Sequence, residues 1–264
     1  MADITARGVR FHVQRLGAPP GTARGTVVFL HGLVMDNLSS FYFTLASPVA
    51  ELASVVLYDL RGHGMSERPP GGYTLDDMVA DLDALLATVA PGEPIFLAGN
   101  SFGGLLALAF AARYPERTRG LALFDAHVGE AGWAEKMAAT LALDGEERDR
   151  QIAISFEHWA GRHSTRKSTR LAQTASALVH GTSLVADMRA SGSLADDEIR
   201  RVRAPVLALY GETSDLRAQA ERLAALLPAC DLRIVPGASH SILWEATARV
   251  RADLLAWLAT QIAT

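Results

Sequence analysis

The sequence predicts a three-layer α/β sandwich, in which a mainly parallel sheet is covered by helices on both faces. Short, continuous apolar runs recur along the chain and alternate with stretches whose apolar residues repeat every three or four positions. The first pattern is typical of strands buried on both faces, and the second indicates amphipathic helices. Their alternation implies right-handed crossovers, which place successive strands parallel in one sheet.

The predicted strands are separated by turn-forming residues. The first strand, at 9–15, alternates apolar and polar side chains and is expected at the edge of the sheet. The buried strands are predicted at 26–30, 54–58, 94–98, 120–124, 205–210 and 232–235. The helices between them are predicted at 75–89, 101–113, 218–227 and 242–262.

One region interrupts the alternation. From residue 127 to residue 203 the pattern is helical and contains no strand. The helices expected there are 135–143, 146–159, 165–179 and 184–188. We therefore predict a core made of residues 1–126 and 204–264, and a helical cap at 127–203 inserted between its two halves.

Composition narrows the classes of function. The chain has 264 residues, of which 49% are hydrophobic and 20% charged, and its net charge is −4. This balance suits a globule with a large core and gives no basic stripe for nucleic acid. The single cysteine, Cys230, cannot form an internal disulfide, and no cluster has metal-ligand spacing, so neither metal nor cofactor is expected. Neither a signal peptide nor a membrane span is recognisable, which makes a cytoplasmic protein the default expectation.

A Gly-x-Ser-x-Gly pentad, residues 99–103, lies between a predicted strand and a predicted helix. In that setting the pentad is typical of a sharp turn that holds a nucleophilic serine, here Ser101, in a strained backbone conformation. The bare pentad is a weak signal, because glycine-rich turns with a helix-capping serine have the same pattern. Its position between strand and helix favours the nucleophile.

Two backbone N–H groups are expected to stabilise an oxyanion near this serine. Phe102 begins the predicted helix, where the first N–H groups lack intrahelical partners. His31-Gly32-Leu33 follows the predicted strand 26–30, and the N–H of Leu33 is the second expected donor. We interpret His31 as structural, although both His31 and Gly32 are close enough to the predicted site to be candidate substrate contacts.

The general base is predicted to be His240, in a loop between the last predicted strand and the last helix. Imidazole titrates near neutral pH, as proton transfer from a serine requires. Asp215, after the strand 205–210, is the predicted carboxylate behind the imidazole, since the order Ser, Asp, His is the order of this triad arrangement. Glu212 and Asp125 are the alternatives. Asp125 follows the strand at 120–124 and is otherwise expected to cap a helix or face the substrate.

These motifs together resemble the α/β-hydrolase superfamily over nearly the whole chain. The resemblance rests on residues 31–32, 59–66, 99–104, 211–215 and 237–240, which occur in the order of that family. It implies an eight-stranded sheet, and it implies that Asp59, Arg61 and Ser66 form a structural loop, with His63 also structural.

The residue at the turn narrows the expected chemistry to acyl transfer. Relatives that hydrolyse epoxides or carbon–halogen bonds carry aspartate there, whereas this chain has Ser101. We expect hydrolysis of a carboxylic ester or thioester through an acyl-enzyme, with a lactonase as an alternative. Residues 99–104 also resemble the elbow of hydrolases that cleave carbon–carbon bonds in ring-cleavage products. The sequence of the loop at 31–36 differs from the pattern of that group, and so does Ser241, the residue directly after His240. A binding protein that kept the fold is the third hypothesis.

The cap provides expectations about the substrate and about partners. Its apolar residues favour a hydrophobic acyl or aromatic substrate. The candidate contacts in the cap are His127, Trp133, Met137 and Trp159. A basic run on one predicted helix has two interpretations, a solvated face or a docking patch for an acyl carrier protein or coenzyme A. The run consists of Arg162, Arg166, Lys167 and Arg170.

Overall fold

The centre of the molecule is one eight-stranded sheet with the order β1-β2-β4-β3-β5-β6-β7-β8. The computed structural model describes residues 2–18, 24–129, 165–191 and 194–263, and the single positions 132, 135 and 139. The strands are β1 Ala2–Ala6, β2 Val9–Leu16, β3 Thr26–Leu30, β4 Ser54–Tyr58, β5 Ile95–Asn100, β6 Thr118–Phe124, β7 Val206–Gly211 and β8 Cys230–Val235. Strands β3 to β8 are mutually parallel, which confirms the predicted fold class.

Helices cover both faces of this sheet. Between β3 and β4 a continuous helical segment contains α1 Ser39–Phe41, a π-helical turn Tyr42–Ala46 and α2 Ser47–Ala50. The other helices of the core are α3 Leu75–Val89, α4 Phe102–Arg113, α8 Arg217–Leu226, α9 Ile242–Glu245 and α10 Thr247–Ala263. In the inserted region the described helices are α5 Thr165–Gly181, α6 Leu184–Ala190 and α7 Asp196–Ile199.

Side chains of the central strands alternate between two hydrophobic clusters. In β3, Val28 packs in a cluster with residues of α3 and α4. Val27 and Phe29 pack on the opposite face, in a cluster that includes Trp257 of α10. All five residues of β3 are buried, because both faces of a parallel sheet are covered. The continuous apolar runs therefore predicted these strands correctly.

The first strand of the chain, β1, was not predicted, and it occupies the edge of the sheet where the strand at 9–15 was wrongly expected, since β2 pairs with both β1 and β4. Residues 2–6 pair antiparallel with β2 through a two-residue turn, in which Arg7 has φ 49° and Gly8 has φ 76°. Positive φ at both positions suits the twist of a tight hairpin. Its apolar side chains are Ala2, Ile4 and Ala6, two of which are small, so the hydrophobic pattern of this segment is weak. The last strand also begins two residues before its predicted start, at Cys230.

Part of the inserted region packs against the core. Leu178 of α5 and Met188 of α6 are fully buried in the cluster on the α3 side of the sheet. The backbone N–H of Tyr73 donates to the carboxylate of Asp187 at 2.8 Å. The helices predicted at 165–179 and 184–188 are present. Those predicted at 135–143 and 146–159 lie outside the described residues, apart from positions 135 and 139, and the domain boundaries remain a prediction.

The order of the strands determines where a site can form. The chain moves from β3 to β4 in one direction along the sheet and then returns to place β5 on the other side of β3. In open α/β sheets, ligands bind beyond the carboxyl ends of the strands at such a switch point. None of the described helices is long and apolar enough to cross a membrane.

Candidate active site

Ser101 stands on a strained turn directly between β5 and α4. Its φ is 54° and its ψ is −118°, a combination that a residue with a side chain rarely adopts. The Ser101 N–H donates to the backbone oxygen of Phe124 at 3.1 Å, and the Ser101 backbone oxygen accepts from the His127 N–H at 3.2 Å. The turn is therefore fixed from both sides, by the last residue of β6 and by the chain that follows this strand.

Glycines around Ser101 permit this turn because side chains have no room there. A Cβ on Gly99 would collide with the backbone of Gly103, and a Cβ on Gly103 would collide with the backbone oxygen of Leu30. A Cβ on Gly104 would collide with the side chain of Ala126. The glycines of the pentad are thus explained by close packing of β5, α4 and β3.

His240 lies within hydrogen-bond distance of the serine. The Ser101 Oγ and the His240 Nε2 are 3.1 Å apart, so the geometry brings the predicted nucleophile and base together. The loop that carries His240 is held at two points. The Ser239 N–H donates to the Glu245 carboxylate at 2.7 Å, and the Thr213 N–H donates to the Ala238 backbone oxygen at 3.0 Å.

The carboxylate behind the imidazole is Asp125, which corrects the prediction of Asp215. The His240 Nδ1 lies 2.5 Å from the Asp125 Oδ2, and Asp125 is fully buried. Asp215 is exposed on the turn after β7 and makes no hydrogen bond with His240. The physical reason is the position of Asp125, directly after β6, which pairs in the sheet with β5 and so ends beside Ser101.

Three donors converge on the Asp125 carboxylate. The Gly211 N–H donates to Oδ1 at 2.8 Å, and the Ser214 hydroxyl donates to Oδ2 at 2.6 Å. His240 provides the third contact. The turn after β7 therefore supports the carboxylate instead of supplying it. Glu212, the other alternative, accepts from the Gly237 N–H at 2.8 Å and so anchors the histidine loop.

The environment of His240 favours a basic imidazole. Burial lowers the pKa of His240, but the hydrogen bond and the charge of Asp125 raise it by more, and the result is a raised pKa. Asp215 and Asp36 add smaller charge effects in the same direction. The side chain keeps 38% of its exposure, so part of the ring remains accessible.

The loop after β3 lies against Ser101, where an oxyanion hole is predicted. A Cβ on Gly32 would be 3.5 Å from the Ser101 Cβ. Asp36 holds this loop, because its Oδ2 accepts from the Gly32 N–H at 2.8 Å and its Oδ1 accepts from the Asn37 N–H at 2.9 Å. Leu33 is the next residue along the loop, and Phe102 follows Ser101 at the start of α4.

His31 is part of the scaffold, so its candidacy as a substrate contact is wrong. The ring is fully buried, its Nδ1 lies 2.7 Å from the Gly32 backbone oxygen, and its Nε2 accepts from the Leu60 N–H at 2.9 Å. Both ring nitrogens are therefore occupied by backbone groups. The structural interpretation made from the sequence agrees with this geometry.

His127 lies beside the base. Its ring centroid is 5.9 Å from that of His240, with the planes 53° apart. Burial and, less strongly, the nearby His240 lower the pKa of His127 to about 3, so the ring is neutral at physiological pH. A neutral imidazole here adds no positive charge beside the base. The other cap candidates, Trp133, Met137 and Trp159, lie outside the described residues.

Asp59 and Arg61, in the loop predicted to be structural, make scaffold contacts. The Asp59 carboxylate accepts from the N–H groups of Leu38 and Met65, both at 2.8 Å. Arg61 forms a two-point ion pair with Asp81, at 2.7 and 2.8 Å. The loop thus fastens the end of β4 to the segments on either side.

The chain matches the family model of the alpha/beta hydrolase fold over residues 25–191. It belongs to the α/β-hydrolase family. Its curated relatives include the 2-(acetamidomethylene)succinate hydrolase of Mesorhizobium japonicum, 26% identical over 255 residues, which are 89% of this chain and 86% of that protein. A second is the 2-hydroxy-6-oxo-2,4-heptadienoate hydrolase of Pseudomonas putida, 42% identical over 125 residues, 47% of this chain and 43% of that protein.

Solved structures of other α/β-hydrolases superpose over the whole chain. A mutant of the meta-cleavage product hydrolase from Pseudomonas fluorescens has a TM-score of 0.82 at 19% identity, covering 98% of both chains. The enol-lactonase from Burkholderia xenovorans has a TM-score of 0.77 at 22% identity, covering 98% of this chain and 100% of that one. At these identities the likeness shows the shared fold. The family match and the hydrolases among the relatives make this protein a hydrolase.

Proposed function

We propose that this α/β-hydrolase cleaves a carboxylic ester or thioester of a hydrophobic acyl group through an acyl-enzyme intermediate. The observation that carries the proposal is the chain of contacts from Ser101 through His240 to Asp125, 3.1 Å and 2.5 Å long. A hydroxyl, an imidazole and a buried carboxylate in this sequence form the arrangement that activates a serine for attack on a carbonyl.

Acylation begins with attack of the Ser101 oxygen on the carbonyl carbon while His240 Nε2 accepts the serine proton. The carbonyl oxygen becomes an oxyanion, which the N–H groups of Leu33 and Phe102 stabilise by hydrogen bonds. Asp125 holds the imidazole in the tautomer with its proton on Nδ1 and stabilises the imidazolium. As the bond to the leaving group breaks, Nε2 returns its proton to the departing oxygen or sulfur.

Deacylation uses the same groups with water as the nucleophile. His240 removes a proton from water, and the resulting hydroxide attacks the acyl carbon. Collapse of the second oxyanion breaks the bond to the Ser101 oxygen, which recovers its proton from the imidazolium. The products are a carboxylic acid and free enzyme. The pKa of His240 is raised, which strengthens it as a base once it is neutral.

A carbon–carbon bond hydrolase or a lactonase is the second candidate. The strongest local similarity in its favour is the 42% identity over 125 residues to the Pseudomonas putida hydrolase, whose name indicates a heptadienoate substrate. The sequence of the loop at 31–36 and Ser241 after His240 weigh against it. Both candidates use the same three side chains, so the substrate decides between them.

Two finer proposals, a hydrophobic substrate and the docking of a carrier, are based on the composition of the inserted region. Its apolar residues favour an acyl or aromatic group. The basic run at Arg162, Arg166, Lys167 and Arg170 fits an acyl carrier protein or coenzyme A phosphates. Reversing these four charges should raise KM for a carrier-bound thioester without changing the turnover of a small neutral ester. An unchanged KM for the carrier-bound thioester would remove the docking proposal.

The test of the proposed function compares wild type with Ser101→Ala on a panel of esters, thioesters, lactones and a ring-cleavage dienoate. A fluorophosphonate should label wild type at Ser101, and Ser101→Ala should lower turnover by roughly 10⁴- to 10⁶-fold. Retained activity in that variant would remove the serine mechanism. Preference for the dienoate over every ester would favour the second candidate, and failure of the probe to label wild type would favour a binding protein.

A further inference from the structure

Val34, in the loop after β3, has a backbone conformation that its side chain disfavours. Its φ is 66°, in the left-handed region. A β-branched residue is a genuine outlier there, since its Cβ substituents crowd the backbone. Such strain persists only where the surroundings fix the conformation, and it concentrates at functional sites. A specific contact must therefore hold this residue.

The contact is a hydrogen bond to a buried histidine of the neighbouring loop. The Val34 N–H donates to the His63 Nε2 at 2.8 Å, and the His63 Nδ1 lies 2.7 Å from the Arg61 backbone oxygen. Since that oxygen only accepts, the proton of the ring is on Nδ1 and Nε2 is free to accept. The ring is 1% exposed, and burial lowers the pKa of His63 to about 3, so the imidazole stays neutral.

The same loop carries the N–H proposed for the oxyanion hole. Leu33 stands between Gly32, whose N–H is fixed by Asp36, and Val34, whose N–H is fixed by His63. The Leu33 backbone oxygen also accepts from the Met35 N–H at 2.9 Å. The peptide units before and after the one that bears the Leu33 N–H are therefore both anchored.

We propose that His63 is a positioning residue of the oxyanion hole, which fixes Val34 in its strained conformation and so directs the Leu33 N–H toward the reacting carbonyl. The inference rests on the proposed acyl-transfer function. His63 itself touches no substrate and exchanges no proton during the reaction. It acts as a neutral acceptor that preorganises a backbone donor, which is the form of stabilisation that oxyanion holes require.

The test compares His63→Leu with His63→Gln, because glutamine can present an acceptor near the position of Nε2 and leucine cannot. We expect His63→Leu to lower kcat by about 10- to 100-fold, the loss typical of a misplaced catalytic group, with KM changed by less than about threefold. Binding of a trifluoromethyl ketone, which forms a tetrahedral oxyanion on Ser101, should weaken by the same factor. His63→Gln should recover most of both losses.

The control is His12→Leu, since His12 is another buried histidine whose ring contacts Asp3 and Gln14 on the far strands of the sheet. It should leave kcat and ketone binding unchanged below its melting temperature. The acid limb of the pH–rate profile should also be unchanged in His63→Leu. A lower melting temperature in His63→Leu with unchanged kcat and ketone binding would show a purely structural role.

A measurement on wild type tests the proposed role of His63 even where His63→Leu fails to fold. The ¹⁵N spectrum of the imidazoles should show His63 neutral with its proton on Nδ1, and a proton on Nε2 would overturn the proposal. Labelling by the fluorophosphonate distinguishes a failure of the proposed function from a failure of the proposed role of His63. Loss of labelling in wild type removes the proposed function, whereas intact labelling with unchanged ketone binding in His63→Leu removes only the role of His63.

Discussion

Oδ2 of Asp125 lies 2.5 Å from Nδ1 of His240, at the end of a strand adjacent to the one that leads to Ser101. The carboxylate is fully buried and also receives the Gly211 N–H and the Ser214 hydroxyl. A carboxylate with this many hydrogen bonds is fixed in place. The orientation of the His240 imidazole thus depends on the ends of β6 and β7.

We expect Asp125→Asn to lower kcat by about 10³- to 10⁴-fold, because asparagine would favour the wrong tautomer of His240. The matched control is Asp215→Asn, which should stay within about threefold of wild type since Asp215 makes no hydrogen bond with the ring. Steady-state kinetics on one activated ester checks both. Equal losses in the two variants would contradict the assignment of the carboxylate.

Asp215→Asn should nevertheless change the pH dependence. The reaction needs neutral His240, so kcat/KM should fall as the pH drops below the pKa of that residue, which is raised above the usual 6.5. Removing the negative charge of Asp215 removes one of the causes of this rise, and the acid limb should move to lower pH. A pH–rate profile of each protein measures the shift. A limb that moves upward, or does not move, would contradict the charge effect.

The sequence predicted most of this site because its motifs follow the ends of strands. The Gly-x-Ser-x-Gly pattern predicted the turn at Ser101, and the loop position of His240 predicted the residue that lies within hydrogen-bond distance of it. The carboxylate was harder, since Asp125 and Asp215 both follow buried strands and both could reach one imidazole. Only the sheet register, which aligns Asn100 with Phe124, decides between them.

Other features had no sequence signal of their own. The hairpin at 2–16 depends on positive φ at Arg7 and Gly8, and arginine is not a residue that indicates such a turn. The bond from Val34 to His63 joins two loops 29 positions apart, and no local pattern reports a contact of that kind. The helices α5 and α6 were predictable from their apolar spacing.

Gly103→Ala should destabilise the protein and abolish labelling of Ser101 by a fluorophosphonate. The added Cβ would meet the backbone oxygens of Leu30 and His31, which cannot rotate away. Overpacking of this kind costs typically about 1–3 kcal/mol or more in the free energy of unfolding. Gly181→Ala is the control, because a Cβ there meets nothing within 4 Å. Chemical denaturation measures both variants, and equal stabilities would contradict the packing argument.

His63 should make the protein sensitive to acid. Its pKa is lowered from 6.5 to about 3 in the folded state, so above pH 6.5 both states are neutral and stability does not depend on this group. Below pH 6.5 only the unfolded chain takes up the proton, and the free energy of unfolding should fall by about 1.4 kcal/mol per pH unit until pH 3. His63→Gln should reduce the slope by that amount. An unchanged slope between pH 6 and pH 4 would contradict the buried neutral state.

The pairing of β5 with β6 has a consequence for how the sequence of this protein can diverge. Ser101 and Asp125 belong to one short strand–helix–strand unit. In this unit the Ser101 N–H donates to the Phe124 backbone oxygen, and the Ser101 backbone oxygen accepts from the His127 N–H. Two of the three groups of the proposed triad therefore lie on one continuous segment of the chain, and the turn after β7 supplies neither of them. We expect homologues with the same chemistry to keep the stretch 99–125 nearly intact while positions such as Glu212 and Asp215 drift, adjusting the basicity of the imidazole as they change.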